Sequence, residues 1–445
     1  MIRIPEIYQR FQESAGVFTD TRKVLRNGMF IAIRGQRFDG NHYAIQSIQD
    51  GALCSLVDDQ QLADEPGCIY VPNTITALQR LARYHRDRFD IPVLALTGSN
   101  GKTTTKELIT SVLSQKFRVH ATQGNLNNHL GVPLTLLGLN SDADLAVVEM
   151  GANQVGEINW LCHIAAPTIG LITNIGSAHI EGFGSQERIG IGKSELYRYL
   201  DAKGGEILVN QDEASLLPWV HPELRKVSKY GEAHLLGKLL HVRFGVHADQ
   251  LNIEMEGVDG KALKVQTQLY GDYNRYNVVT ALAIGGLFGV SLDQIAKGVA
   301  SYTPKNNRSQ LLQVGRHTIY LDAYNANPTS MRLAVDFFKG LSAKYKVIIL
   351  GDMLELGKWS DSAHTKLIQT CVSESSFRRI ILLGPIFLAS LRQLDLVDAR
   401  VAAMADSQEL IDSGELVDLP AAHILLKGSR KMRLESLATA FEKYK

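Results

Sequence analysis

Cysteine is scarce. Only Cys54, Cys68, Cys162 and Cys371 occur in 445 residues, and no two form a C-x-x-C pair. That spacing excludes a disulfide framework or a zinc knuckle and predicts four buried thiols in a reducing compartment. Long apolar runs are missing too. No stretch of 18 apolar residues occurs, and Met1-Ile2-Arg3-Ile4-Pro5-Glu6 lacks the apolar core of a signal peptide, so the expectation is a cytoplasmic protein without stable membrane association. Nor is there an excess of either charge. With 47 Lys+Arg against 46 Asp+Glu, the net charge of +1 offers no field for nucleic acid, and any anionic ligand must be held locally. Repeats, low-complexity tracts and heptads are also lacking, which leaves a monomer as the expectation.

What is present is enough apolar material for several cores. Hydrophobic residues make up 45% of the chain, and a single core stops growing at roughly 250–300 residues, so three domains are expected. Residues 1–90 alternate short β-rich runs, such as Met29–Ile33, Ala52–Val57 and Cys68–Val71, with helical stretches, the pattern of a small α/β domain. That region closes on a basic helix over Ile75–Phe89, carrying Arg80, Arg83, His85, Arg86 and Arg88, read as a solvated face. Residues 91–308 open a parallel α/β unit with Val93–Leu96, continued by Leu145–Val148 and Ile169–Ile172, followed by a more polar, antiparallel stretch over Gly204–Leu269. Residues 309–445 start afresh with Thr318–Leu321, Val347–Leu350, Ile380–Leu383 and Ile424–Leu426, the layout of a Rossmann-like domain. The fold class is therefore α/β with parallel sheets.

The sharpest local signal is Gly98-Ser99-Asn100-Gly101-Lys102-Thr103-Thr104, between an expected strand and an expected helix. Two glycines let the backbone turn its N–H groups towards phosphate oxygens, and the helix N-terminus adds a favourable dipole. Lys102 supplies a cation to the outer phosphates, and the Thr103 hydroxyl is placed for Mg²⁺. The loop is shorter than the general G-x-x-x-x-G-K-[ST] pattern, whose first glycine falls on Leu96. ATP binding is the expectation.

This shortened loop resembles that of the Mur ligase family and of its relatives, the folylpolyglutamate synthetases. On that resemblance Glu149, at a strand end in Val147-Val148-Glu149-Met150-Gly151, corresponds to a Mg²⁺-binding glutamate. His179, in Gly176-Ser177-Ala178-His179, corresponds to a histidine at a second metal ion, and Lys193, in Gly192-Lys193-Ser194-Glu195, to a carbamoylated lysine. Lys102, His179 and Lys193 are thus the implied catalytic residues. Gly271-Asp272-Tyr273-Asn274-Arg275-Tyr276-Asn277 resembles an adenine-binding segment, with Asn274 and Asn277 on one helix face and Tyr273 in place of the usual histidine. Arg308 and Asp322 correspond to nucleotide contacts.

Leu321-Asp322-Ala323-Tyr324-Asn325-Ala326-Asn327-Pro328 resembles the branch of the family that adds D-alanyl-D-alanine, as do the segments Leu350–Gly357 and Leu426–Glu435. Tyr324, Asn325 and Asn327 then become substrate contacts. Asp20-Thr21-Arg22 and Gly35–Asn41 resemble uridine-nucleotide motifs, implicating Thr21, Arg22, Asp39 and Asn41. Gly124–Pro133 implicates Asn125, Asn127 and Asn128 at the nucleotide-sugar. The resemblance implies that residues 1–90 bind the uridine nucleotide, 91–308 bind ATP and 309–445 bind the acceptor. It further implies an ATP- and Mg²⁺-dependent ligase joining UDP-N-acetylmuramoyl-tripeptide to D-alanyl-D-alanine through an acyl phosphate. The alternatives are a folylpolyglutamate synthetase-like ligase, disfavoured by the roughly 90 residues before the loop, and a nucleotide-binding regulator without catalysis, disfavoured by the full set of metal positions.

Overall fold

A computed structural model describes residues 3–237, 239–247 and 249–443. Four sheets organise the described residues. The first is parallel, in the order Val17–Phe18, Met29–Ile31, Cys54–Val57, Cys68–Tyr70. The second is a six-stranded parallel sheet running Val227–Tyr230, Glu206–Asn210, Ile169–Ile172, Val93–Thr97, Leu145–Glu149, Val119–Ala121. A three-stranded antiparallel meander, Leu239–His247, Gln250–Gly257 and Ala262–Tyr270, follows it. The last sheet runs Gln310–Val314, His317–Asp322, His423–Lys427, Lys346–Gly351, Phe377–Leu383, Val401–Met404, parallel except for its first strand.

The near-continuous apolar runs are what strands covered on both faces require. In the last sheet Ile348, Leu350, Ile380 and Leu382 enter one core cluster, while their neighbours Val347, Ile349, Ile381 and Leu383 enter the other. The period of two therefore divides each run between two helical layers. Each fully buried Leu or Ile contributes about 2 kcal/mol of transfer free energy.

Three expectations need correction. The stretch Gly204–Leu269 is antiparallel only from Leu239 on, because Glu206–Asn210 and Val227–Tyr230 extend the central parallel sheet. Cys68 is half-exposed, whereas Cys54, Cys162 and Cys371 are buried. The basic helix is Thr74–Arg86, and its face is not wholly solvated: His85 and Arg86 are buried. Arg86 donates to the carbonyls of Phe89, Ile91, Ala165 and Ala166, and His85 Nε2 lies 2.9 Å from the Leu139 carbonyl. Counting basic residues could not reveal this, because backbone carbonyls left open at the end of one helix and in the next loop are the partners.

Candidate active site

Strand Val93–Thr97 is buried throughout and delivers the chain into the loop at Gly98. Gly98 has φ +147°, and a Cβ there would fall 1.9 Å from Thr173 Oγ1; Gly101 has φ +79° and caps helix Lys102–Leu113. Only glycine meets both demands without strain. The loop is fastened to the neighbouring strand end. Asn174 brackets the Asn100 peptide, accepting its N–H at 3.0 Å and donating to its carbonyl at 3.0 Å. Ser99 Oγ donates to the Gly176 carbonyl at 3.1 Å and accepts the Gly176 N–H at 2.8 Å.

Lys102 folds its ammonium back over this loop, donating to the carbonyls of Gly98 (2.7 Å) and Ser99 (3.3 Å). Desolvation lowers its pKa to about 8, against an opposing pull from Glu149. An anion entering the loop would take over these donors and restore full charge. Thr103 Oγ1 donates to Glu149 Oε1 at 3.2 Å, and Asn127 Nδ2 donates to the same oxygen at 2.7 Å. Glu149 Oε2 is buried with no hydrogen-bond partner, and the Lys106 ammonium is 4.0 Å away. A buried carboxylate oxygen with free lone pairs beside a hydroxyl is a hard donor set that fits Mg²⁺. Among the described residues no three His, Cys, Asp or Glu side chains converge, so such an ion must complete its shell from other oxygens, substrate phosphates and water included.

His179, in the left-handed conformation with φ 58°, heads helix Ile180–Phe183. Its Nδ1 is 2.7 Å from Glu355 Oε2, on the loop after strand Lys346–Gly351, so it bridges the central and last units. This contact holds the Glu355 carboxyl below its usual range. Lys193 ends helix Gln186–Lys193 fully buried, its Nζ without a hydrogen-bond partner. Burial, reinforced by the charge of Lys102, pushes its pKa far down. Burial thus favours the neutral amine, the form that carbamoylation requires.

These groups meet at one cavity of about 860 Å³ between the carboxyl ends of the central and last sheets. Its walls contain Ser99 to Thr104, Asn125, Asn127, Asn128, Glu149, His179, Asn274, Asn277, Arg308, Asp322, Tyr324, Asn325 and Asn327. Gly98 turns the loop from beneath, and Lys193 lies outside the lining. Asn274 and Asn277 are bonded to each other at 2.8 Å, Asn274 also to the Tyr270 carbonyl and Asn277 to Thr105 Oγ1. The Arg308 guanidinium stacks 3.5 Å from the Tyr324 ring centroid. Asp322 is paired with the buried Lys427. Asn327 caps helix Pro328–Gly340 and donates across the cleft to Asn100 Oδ1 at 2.7 Å, beside a Ser177 to Thr329 hydroxyl contact of 3.0 Å.

The residues expected to hold the uridine nucleotide are not brought to this cavity. Arg22 is exposed and paired with Asp20, and Thr21 begins the short turn that Asp20 caps. Asp39 accepts the N–H of Asn41, whose own carboxamide is buried against Asp39 and Asp58. The cavity also includes groups that sequence reasoning did not assign: Glu355 and Lys427 lay inside motifs already noticed, Asn174 and Thr329 just beyond the ends of two others, whereas Trp160 had no local signal.

Comparison with known proteins gives a consistent result. A family model for the Mur ligase middle domain matches residues 96–285, and one for the Mur ligase glutamate ligase domain matches residues 307–430. The UDP-N-acetylmuramoyl-tripeptide–D-alanyl-D-alanine ligase of Bacillus subtilis is 33% identical over 437 residues, covering 95% of this chain and 92% of the relative. The crystal structure of MurF from Acinetobacter baumannii superposes with a TM-score of 0.85 at 30% identity, over 98% of each chain. MurF from Thermotoga maritima, in complex with ADP, gives 0.82 at 25% identity, over 96% of this chain and 97% of that one.

Proposed function

The chain belongs to the Mur ligase family, and we propose that it joins D-alanyl-D-alanine to UDP-N-acetylmuramoyl-tripeptide at the expense of ATP. The products are the UDP-N-acetylmuramoyl-pentapeptide precursor of peptidoglycan, ADP and phosphate. The observation that carries this reading is the single cavity in which the phosphate loop meets the Asp322–Asn327 segment, hydrogen-bonded through Asn100 and Asn327. Likeness to a D-alanyl-D-alanine ligase over 95% of the chain includes most of the first 90 residues, which speaks against a folylpolyglutamate synthetase. A regulator that only binds nucleotide has no use for a buried, unpartnered Glu149 oxygen beside Thr103.

In this reading residues 1–90 hold the uridine nucleotide, 91–308 ATP and 309–445 the acceptor. The tripeptide carboxylate attacks the γ-phosphorus of ATP, the bond to the β-γ bridging oxygen breaks and ADP leaves. The amine of D-alanyl-D-alanine then attacks the acyl carbon, phosphate leaves and the amine's proton passes to solvent. Two anions must meet in the first step, so charge compensation matters more than a protein nucleophile. Lys102 exchanges its loop carbonyls for phosphate oxygens, and the loop amides and the dipole of helix Lys102–Leu113 face the same charge. Arg308 and Asp322 contact the nucleotide, Asn274 and Asn277 border the base, and Tyr324 and Asn325 border the acceptor. Asn125, Asn127 and Asn128 line the path of the nucleotide-sugar.

Mg²⁺, when bound, supplies positive charge between carboxylate and triphosphate. Thr103, Glu149, His179 and Lys193 would hold it, Lys193 after its neutral amine adds CO2 and loses a proton to become a carbamate. Among the described residues no helix is long and apolar enough to cross a membrane, and we place the protein in the cytoplasm as a monomer. The test is phosphate release from ATP and Mg²⁺ with UDP-N-acetylmuramoyl-tripeptide, with and without D-alanyl-D-alanine, followed by the product mass. Release that needs both substrates and yields the pentapeptide nucleotide supports the reading; intact ATP binding without that product refutes it.

A further inference from the structure

Trp160 and His129 contribute no reacting group, yet both line the cavity. Trp160, on helix Glu157–Ala165, is 46% exposed, and its ring lies nearly parallel to the His129 imidazole, 12° between planes and 6.0 Å between centroids. Both residues stand on anchored backbone. The His129 carbonyl accepts the Gln79 carboxamide at 2.9 Å, from helix Thr74–Arg86. The start of the Trp160 helix is pinned by the buried Glu195 carboxylate, which accepts the N–H groups of Gly156 (2.6 Å) and Asn159 (2.8 Å). A half-exposed indole thus stands on a backbone-anchored helix in a largely polar wall.

The geometry points to a sugar-ring subsite on this plate. An aromatic face carries negative charge density and attracts the positively polarised C–H bonds on the flat side of a pyranose. Neighbouring Asn125 and Asn128, also on the cavity wall, offer carboxamides to hydroxyl or acetamido groups. Position selects the sugar over the uracil base. The inference rests on the proposed function, in which the nucleotide end sits on residues 1–90 and the reacting carboxylate at the phosphate loop. The plate stands between them, where Gln79 of the first unit grips the central one. The moiety that spans this point is the N-acetylmuramoyl ring, and Trp160 is a specificity-determining residue for it.

Steady-state kinetics of the full-length protein with Trp160→Ala and Trp160→Phe test this, together with tryptophan emission during titration. Trp160→Ala is expected to raise KM for UDP-N-acetylmuramoyl-tripeptide about tenfold, the size of one lost stacking contact, with kcat and the KM for ATP and D-alanyl-D-alanine within about threefold. Trp160→Phe restores most of the loss. UDP-N-acetylmuramic acid should change wild-type emission where UDP does not, and the change should vanish in Trp160→Phe. An unaltered KM in Trp160→Ala, or an equal emission change with UDP alone, overturns the subsite while leaving the ligase reading intact. Failure of the wild type to make pentapeptide refutes the ligase reading, and the emission titration still decides the subsite.

Discussion

The first unit and the last unit are attached to the central sheet in opposite ways. A single apolar cluster runs from Ile7, Leu78 and Leu81 of the first unit into Val93, Val148 and Ile172 of the second, with Arg86 and His85 satisfied inside the join. The last unit encloses two clusters largely its own, with Tyr270 of the central unit packed into one of them against Tyr320 and Phe337. It meets the central unit's glycine loop and the segment 177–179 through Asn327 to Asn100, Thr329 to Ser177 and Glu355 to His179. Apolar burial is non-directional and strong in sum, so it fuses two units. Part-buried polar contacts of this kind contribute about 1 kcal/mol each and can be exchanged for contacts with water or a ligand. The cavity lies at the second kind of joint, whose polar contacts are of the kind that can break and re-form.

Four substitutions or conditions would break or sharpen this contrast. Lys102→Ala should have the largest effect, lowering kcat about 10³-fold with little change in stability, because its ammonium is bonded only to its own loop. Equal kcat in a continuous phosphate-release assay would remove Lys102 from the chemistry. Arg86→Met should act in reverse. It removes the donor to the carbonyls of Phe89, Ile91, Ala165 and Ala166, and urea unfolding should show a loss of about 3 kcal/mol; a loss under about 0.5 kcal/mol would mean the joint does not depend on that guanidinium.

Asn327→Asp keeps the oxygen that caps helix Pro328–Gly340 but removes the donor to Asn100. A fall in kcat of about tenfold, about 1.4 kcal/mol, with an unchanged melting temperature, is the outcome consistent with a closing contact. Parallel loss of both would make it a structural bond. The smallest effect concerns pH. Burial lowers the pKa of His85 below its ordinary value, while the unfolded chain titrates it near pH ~6.5. Below that pH the unfolded state takes up the proton first, so the contribution of His85 is complete above about pH 6.5 and declines as the pH falls towards its folded value. Urea midpoints at pH 7.5 and 5.5 should therefore separate more in the wild type than in His85→Gln.

The phosphate loop was legible before any fold because its demands are local: a buried strand, glycines at two positive-φ positions and a lysine-threonine pair opening a helix. The apolar runs likewise marked ten strands. The short edge strands Val17–Phe18 and Val119–Ala121 were missed, as were Glu206–Asn210, Val227–Tyr230, Gln310–Val314 and Val401–Met404, because several are only half-buried or too brief for a period to show.

Local sequence therefore determined the strand, glycine loop and helix over residues 93–113, and resemblance determined the family, since both depend on spacing along the chain. Tertiary structure alone decided that His179 faces Glu355 across 176 positions, that Arg86 is an internal clamp and not a solvated charge, and that Trp160 stands open beside His129. Those facts depend on which carbonyls, carboxylates and rings remain unpartnered after the sheets have packed, and such partners are distant in sequence and near only in the folded chain.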